Sequence, residues 1–339
     1  MKRCIKIDKA ESRNNKLLKK DKPLVSILLA VYNPNEKWLI EQLISLNNQT
    51  YENINLFVYD DCSDYPVDEK LFKKYITNFN YKIRVGEVNR GSNKAFEELT
   101  KMADGEYFAY CDQDDIWEKN KISSMIEKFD EKDVTLVCCD LSIIDENGKK
   151  THDSICEIRK RINYKTGYNL AKDLLVSNFV TGCAMIVRRE IAQSAVPFVD
   201  NIVHDNWIAV VASLNGKIEF VEDRLIRYRQ HTNNQTGILK GIYDKKTYYD
   251  IKIVELLTRY MNLQKRVKDY TVINEFVEYC IISLNARKNY FLKPSFKELK
   301  TILKYSDYYK LSILLEIFSP VIPEFLFKCI VKLTKKGVI

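Results

Sequence analysis

The chain reads as an α/β protein with a mostly parallel sheet and helices on both faces. Three observations predict this. Short apolar runs alternate with amphipathic stretches roughly every 25 residues from position 24 onward, the rhythm of crossover units that return each strand to the same direction. Most of the runs are predominantly apolar, as parallel strands buried on both faces are. Polar residues gather directly after each run, at the strand ends where open α/β sheets bind ligands.

The elements follow in order. LVSILLAVY (24–32) is a buried strand that Pro34 ends, and the next stretch, 36–49, sets apolar residues at 38, 39, 43 and 46, a helical spacing. INLFVYDD (54–61) is a second strand with a helix near 67–78. YKIRVGEV (81–88) is a third, followed by a helix over 92–103. EYFAYCD (106–112) is a fourth, KNKISSMIEKFD its helix, and 134–145 a fifth strand. Beyond 150 the rhythm changes. A helix is expected over 167–179, a strand over 182–190, a helix over 203–216 stopped by Gly216, and an extended segment over 217–231. After 240 the pattern is helical with little strand signal. This divides the chain into a basic extension (1–22), an α/β domain (23–239) and a helical region (240–339), with a boundary near 236–245.

Composition excludes several classes. Of 339 residues, 46% are hydrophobic and 29% charged, which excludes disorder; ten glycines and seven prolines exclude a repeat or linker-rich chain. The net charge of +8 is unevenly spread: nine Lys/Arg against three acids in 1–22, nineteen against ten in 240–339, and twenty-six against thirty-three between them. Basic ends around an acidic centre suit ends that meet an anionic surface and a centre that holds a cation; two solvated basic arms fit the charge equally. The nine cysteines are odd in number and contain no Cys-x-x-Cys, and Cys111, Cys138, Cys139 and Cys183 lie inside apolar runs. They read as reduced core residues of a cytosolic protein, not as disulfides or a zinc site. The first 22 residues lack the apolar core of a signal peptide, and no run of 18 apolar residues is present. In that compartment the Asn-Gln-Thr sequons at Asn48 and Asn234 carry no weight, and nothing points to nucleic acid.

The densest chemistry lies in YCDQDDIW. Strand alternation puts Asp112 and Asp114 on one face and Gln113 on the other. Two carboxylates that close repel unless one is protonated or a cation lies between them, and Mg2+ or Mn2+ would take such oxygens together with substrate phosphates. A helix N-cap cluster is the alternative, with Asp115 well placed to start the helix that follows. In VYDDCSD, Asp60 and Asp64 read as turn formers, whereas Asp61 at the strand mouth could accept a hydrogen bond from a base N–H. Arg90 and Lys94, at a loop entering a helix N-terminus, suit a diphosphate, although the segment is no Gly-x-Gly-x-x-Gly and no P-loop. Asp205 at a helix start can serve as a general base for a hydroxyl nucleophile. His204 reads as structural and His152 as surface.

VSILLAVYN, VYDDCSD, NRGSNKAF, YFAYCDQDDIW, TGCAMIVRRE, VHDNWIAVVA and YRQHTNN follow one another in an order and spacing that resemble glycosyltransferase family 2, inverting enzymes of the GT-A fold. The motif pattern is most similar to bacterial rhamnosyltransferases and related enzymes of surface polysaccharide synthesis, over roughly 23–237. The resemblance implies that Tyr32, Asn33 and Asp61 lie against the nucleotide, with Arg90 and Lys94 toward the diphosphate. It makes Asp112-Gln113-Asp114 the Asp-x-Asp motif, with Asp114 a direct metal ligand and Asp112 near the ribose or the metal's waters. It implies Asp205 as the base and His231 near the metal or diphosphate. Thr181, Gly182, Asn206 and Trp207 then fall on the acceptor side, with Asn206 departing from the commoner His-Asp-Trp-Trp form. The expected reaction is metal-dependent transfer of a sugar, L-rhamnose from dTDP-rhamnose or a UDP-linked hexose or N-acetylhexosamine, to a lipid-linked glycan.

Two other classes fit the residues less well. A sugar-nucleotide pyrophosphorylase would want a Gly-rich basic loop where VYNPNEKW stands. A catalytically silent membrane-bound scaffold would have no need of Asp61, Asp114 and Asp205 together. The tail, LSILLEIFSPVIPEFLFKCIVKLTKKG (311–337), is apolar, broken by Pro320 and Pro323, and ends in Lys332, Lys335 and Lys336. It suits a helix pair lying on the cytoplasmic leaflet. Packing on the main domain, or on a second copy in a homodimer, would also account for it.

Overall fold

The computed structural model describes residues 22–160, 162–231, 241–305, 313 and 316–335. The basic extension up to residue 21, residues 236–240 of the expected boundary near 236–245, and parts of the tail lie outside the described residues.

Four parallel strands open the sheet: β1 (Val25–Val31), β2 (Ile54–Asp60), β3 (Asn80–Val85) and β4 (Tyr107–Cys111), in the order β3-β2-β1-β4. Val25 of β1 pairs with Ile54 and with Tyr107 in the two registers. The crossovers are α1 (Glu36–Asn47), α2 (Glu69–Tyr75) and α3 (Ser92–Met102). Side chains of β1 alternate between two cores. Val25, Ile27, Leu29 and Val31 join Leu39, Leu43 and Leu46 of α1 on one face, while Leu28 joins Phe96 and Leu99 of α3 on the other. That two-sided burial is why the run is apolar at every second and every first position alike.

Past β4 the sheet becomes mixed. The two-residue β5 (Ile116–Trp117) and α4 (Lys121–Ile126) precede the long β6 (Val134–Ile144), which pairs with a short β7 (Lys150–His152). After α5 (Ala171–Val176) comes β8 (Met185–Arg188), wedged antiparallel between β4 and β6. Then follow α6 (Arg189–Ser194), α7 (His204–Asn215) and β9 (Lys217–Arg229), which lies parallel to β6 and antiparallel to β5. The expected strand over 182–190 is thus a 3-10 turn at Gly182–Ala184, four strand residues and the start of α6.

The C-terminal region contains no strand among the described residues. A short α8 (Lys245–Tyr248) runs through a π-helical stretch, Tyr249–Glu255, into α9 (Leu256–Gln264); α10 (Thr271–Leu292), α11 (Phe296–Lys304) and α12 (Glu324–Lys335) follow. Leu257, Tyr260, Leu263, Phe276 and Val277 belong to the same core as Leu28, Phe96 and Trp207. The helices therefore share the sheet's interior.

Candidate active site

The loops at the carboxyl ends of β1, β2 and β4 are stitched into one surface. Asp60 folds its own turn, its carboxylate accepting the Ser63 and Val67 amides (2.8 and 2.9 Å). Asn33 takes a left-handed φ of 41° and donates its amide to Ser63 Oγ (2.8 Å), while its side chain exchanges two bonds with Asp64. Gln113 accepts the Tyr32 N–H (2.8 Å) and donates to the Tyr32 carbonyl (3.0 Å), a two-bond grip like that of a strand partner. Tyr32 itself is exposed.

Asp61 is buried, and its oxygens accept the amides of Arg90 (3.1 Å) and Gly91 (2.6 Å). Gly91 has φ +83°, a conformation costly to any residue with a Cβ, so the loop before α3 can turn onto that carboxylate. The Arg90 side chain is exposed, whereas the Lys94 ammonium lies 3.1 Å from Glu97 on its own helix. Of the residues expected at the nucleotide, Tyr32, Asn33 and Arg90 lie at the surface; Asn33, Asp61 and Gln113 are also tied to the loop backbones.

The acidic cluster has a built-in counter-charge. The Lys121 side chain is fully buried, its Nζ donating to the Cys183 carbonyl (2.7 Å) and lying 3.0 Å from the centre of the Trp117 ring. Burial pulls its pKa down to about 8. Burial, then the carboxylates of Asp114 and Asp205, push Asp112 up to about 7. Asp115 departs from the expected helix cap. Its Oδ1 accepts the Arg229 amide of β9 (2.9 Å), its Oδ2 is buried without a hydrogen-bond partner, and α4 begins only at Lys121. Burial holds Asp115 well above the usual carboxylate range.

Ligand atoms of Asp112, Asp115 and Cys183 lie within 4.8 Å of one another. Burial keeps the Cys183 thiol protonated, which disqualifies it as a ligand for a hard cation. Asp114 stands outside that group, but its carboxylate and that of Asp112, both partly exposed, are oxygen donors of the kind Mg2+ or Mn2+ takes, so the residues present fit such an ion. His231 stands beside them, its Nε2 2.8 Å from Asp114 Oδ2 and its ring against Trp38 (4.8 Å between centroids). The Arg229 side chain is wholly buried; it donates to the carbonyls of Asp114 (2.8 Å), Asp145 (3.2 Å) and Glu146 (3.3 Å) and pairs with Glu41.

Asp205 lies at the first turn of α7. Its Oδ1 accepts Asn178 Nδ2 (3.0 Å) and its Oδ2 accepts the Gly182 amide (3.1 Å); burial lifts its pKa to about 6. Asn93, at the start of α3, positions this turn by donating to the Ile202 carbonyl (2.5 Å) and accepting the His204 amide (2.7 Å). His204 packs on Phe96 (4.0 Å between centroids), and burial drives its pKa down to about 3. Gly182 is required here, since a Cβ would come within 2.6 Å of His204 Nε2. Asn206 and Trp207, expected on the acceptor side, point inward: Asn206 donates to the Leu174 carbonyl and Trp207 to that of Ala195, both within the core. Residues of α7 three or four apart share a face, so the residues next to an outward Asp205 turn in. Thr181 stays partly exposed beside Gly182.

Asn178, Arg229, Lys121 and Asn93 escape the sequence reading. Arg229 alone carried a signal, for in an extended segment it shares a face with His231 two residues on.

Fold and site together define an α/β domain of the GT-A type. Residues 26–194 match Glycosyl transferase family 2. A glycosyltransferase of Methanocaldococcus jannaschii is 27% identical over 240 residues, 68% of this chain and 79% of its own length. TuaG of Bacillus subtilis, named for teichuronic acid biosynthesis, is 25% identical over 251 residues, covering 70% and 90%. Among solved structures, S. aureus TarS 1–349 in complex with UDP-GlcNAc superposes with a TM-score of 0.57 at 16% identity, covering 93% of this chain and 92% of that one.

Proposed function

We propose that the chain is a metal-dependent, inverting glycosyltransferase of cell-surface polysaccharide synthesis. The observation that carries this is the meeting of Asp205, held by Asn178 and Gly182, with the carboxylates of Asp112 and Asp114 at one end of the sheet. Asp205 takes the proton of the acceptor hydroxyl as the oxygen attacks the sugar's anomeric carbon, and the single base opposite the leaving group gives inversion. Asp114 and Asp112 would hold a divalent cation, which screens the charge gathering on the departing diphosphate. His231 and Arg229 fix Asp114 for that task, and Tyr32 and Arg90 offer exposed groups to the nucleotide and diphosphate. Of the two donor classes the sequence raised, dTDP-L-rhamnose and UDP-sugars, the UDP class draws support from the likeness to TarS. TuaG's name supports a surface polymer as the product's destination.

The acceptor is lipid-linked in this reading, and the chain binds the membrane's cytoplasmic face peripherally. No helix among the described residues is long and apolar enough to cross a membrane. Phe318, Val321, Phe325 and Leu326 are exposed beside Lys328, Lys332 and Lys335, which supports the tail as the contact. Calorimetry with UDP, GDP and dTDP, each with Mn2+ or with EDTA, tests the central claim. UDP binding that vanishes with EDTA and in Asp114→Asn is expected; metal-independent binding would sink the assignment.

A further inference from the structure

The turn that leads into Asp205 is held by side chains of α3. Between α6 and α7, residues 195–203 belong to no helix or strand. The Phe198 amide of this stretch donates to Glu97 Oε2 (2.8 Å). Asn93 Nδ2 donates to the Ile202 carbonyl (2.5 Å), and Asn93 Oδ1 accepts the His204 amide (2.7 Å) at the first residue of α7. Asn93 and Glu97 lie four residues apart, so they share the face of α3 that meets this stretch. Phe96, from the same helix, packs on the His204 ring.

The start of α3 is fixed to the loop expected at the nucleotide. The Asp61 carboxylate accepts the Arg90 and Gly91 amides, and Asn93 follows two residues later. Glu97 is buried, and Lys101 (2.8 Å) and Lys94 (3.1 Å) donate to its two oxygens. Burial opposes its charge, yet the bonds from Lys101, the Phe198 amide and Lys94 hold its carboxyl below the usual range. Irregular backbone is ordered only as far as bonds and packing hold it, and this stretch must place a base accurately. Asn93 donates and accepts at once, which an uncharged amide can do without adding charge beside the carboxylates.

We propose that Asn93 and Glu97 are positioning residues for Asp205, and that α3 couples the two halves of the site: a nucleotide seated against the Arg90 loop steadies the turn at 198–205 through this helix. The inference rests on the glycosyltransferase reading and names what places its base. Lys94, expected at the diphosphate, serves here as a brace for Glu97.

Hydrogen exchange of the full chain, with and without UDP and Mn2+, tests the coupling. In the native chain UDP should slow exchange over 198–205 as well as over 89–94, by at least about fivefold, the low end of ordinary coupling between sites. Asn93→Ala should still bind UDP and keep the protection at 89–94 while losing it at 198–205. Asn93→Asp, which keeps an acceptor for the His204 amide, should retain part of it. Glu97→Ala should weaken the effect, and Glu97→Gln, which keeps an oxygen for the Phe198 amide, should largely restore it. A merely structural role would speed exchange at 198–205 with and without UDP alike, leaving the UDP-dependent difference intact. Circular dichroism melts identify the folded variants, and the native comparison stands without them. Protection confined to 89–94 in the native chain, or an undiminished UDP effect at 198–205 in a folded Asn93→Ala, overturns the proposal. Calorimetry in parallel separates the two readings. No UDP binding with Mn2+ would refute the glycosyltransferase reading, whereas UDP binding without protection at 198–205 would refute the coupling alone.

Discussion

Asp205 and Asp112 carry the same side chain into different surroundings, and the surroundings set their duties. Asp205 is lifted to about 6 by burial while two N–H donors stabilise its charged form, which leaves it ionised at neutral pH yet basic enough to take a proton. Asp205→Asn should keep UDP binding and lose transfer by about 10²–10⁴-fold, and in the native enzyme transfer should fall as pH drops through about 6; steady-state rates against pH check both. Near-normal turnover in the variant removes Asp205 as the base. Asp112, lifted to about 7 by burial and by Asp114 and Asp205, makes a prediction about stability. A carboxyl whose folded pKa stands above its unfolded value takes its proton first in the folded state, so acidification through that range stabilises the fold. His204 and Lys121 have the opposite sign, because their folded pKa values are depressed; His204 acts only below its unfolded value of 6.5, and Lys121, at about 8, acts mainly above the range in which Asp112 titrates. With metal chelated, the melting temperature should therefore rise as pH falls from about 8 to about 6.5, and Asp112→Asn should flatten the slope. A flat native profile in EDTA would contradict the crowding described for these carboxylates.

At the scale of elements, β9 does the positioning that the sequence left obscure. It carries Arg229 under the acidic loop and delivers His231 to Asp114, while its backbone at Arg229 donates to one oxygen of Asp115. Arg229→Met would strand Glu41 and three carbonyls; breaking such a buried pair costs about 3–5 kcal/mol. Urea midpoints should show that loss, and His231 should lose its fixed place beside Asp114. The turn at Gly182 is similarly sensitive. Gly182→Ala would drive a Cβ into His204 and move the amide that holds Asp205, so transfer should fall while UDP affinity holds; equal losses of both would place the damage elsewhere. The four parallel strands and their crossover helices were legible because apolar runs and 3.6-residue spacing are local signals. The antiparallel insertion of β8 was not, since a buried run does not name its neighbours, nor was β5, which is too short to show a period. Asp115 misled for a similar reason: an aspartate before a helix and one that accepts a distant strand's amide look alike in sequence. Asn206 and Trp207 misled because a motif orders residues along the chain and leaves their direction around the helix to packing.

The whole molecule is less divisible than its change of sequence character near 240 suggests. Tyr260, Leu263, Phe276 and Val277 complete the core that begins with Leu28 and Phe96, and the Arg266 guanidinium lies over the Trp207 ring (5.4 Å) while reaching the Ala195 carbonyl. The tail is attached in turn, with Phe327 and Val331 against Ile242 and Tyr248, and Glu316 buried on Arg287 (2.5 Å). Two truncations should therefore differ. Removing 317–339 takes away the exposed Phe318, Val321, Phe325 and Leu326 with their lysines, so binding to vesicles containing anionic lipid should drop while UDP binding with Mn2+ persists. Ending the chain at 240 uncovers one face of the shared core. That protein should lose its cooperative urea transition and bind a hydrophobic dye, as chains with collapsed but unpacked interiors do. A single substitution gives the same test without a deletion: Leu263→Ala, at a fully buried position, should cost about 2–5 kcal/mol, whereas Leu333→Ala on the exposed face of α12 should stay within about 0.5 kcal/mol. If the chain ended at 240 unfolds cooperatively and binds UDP as the full chain does, the helices are an appendage.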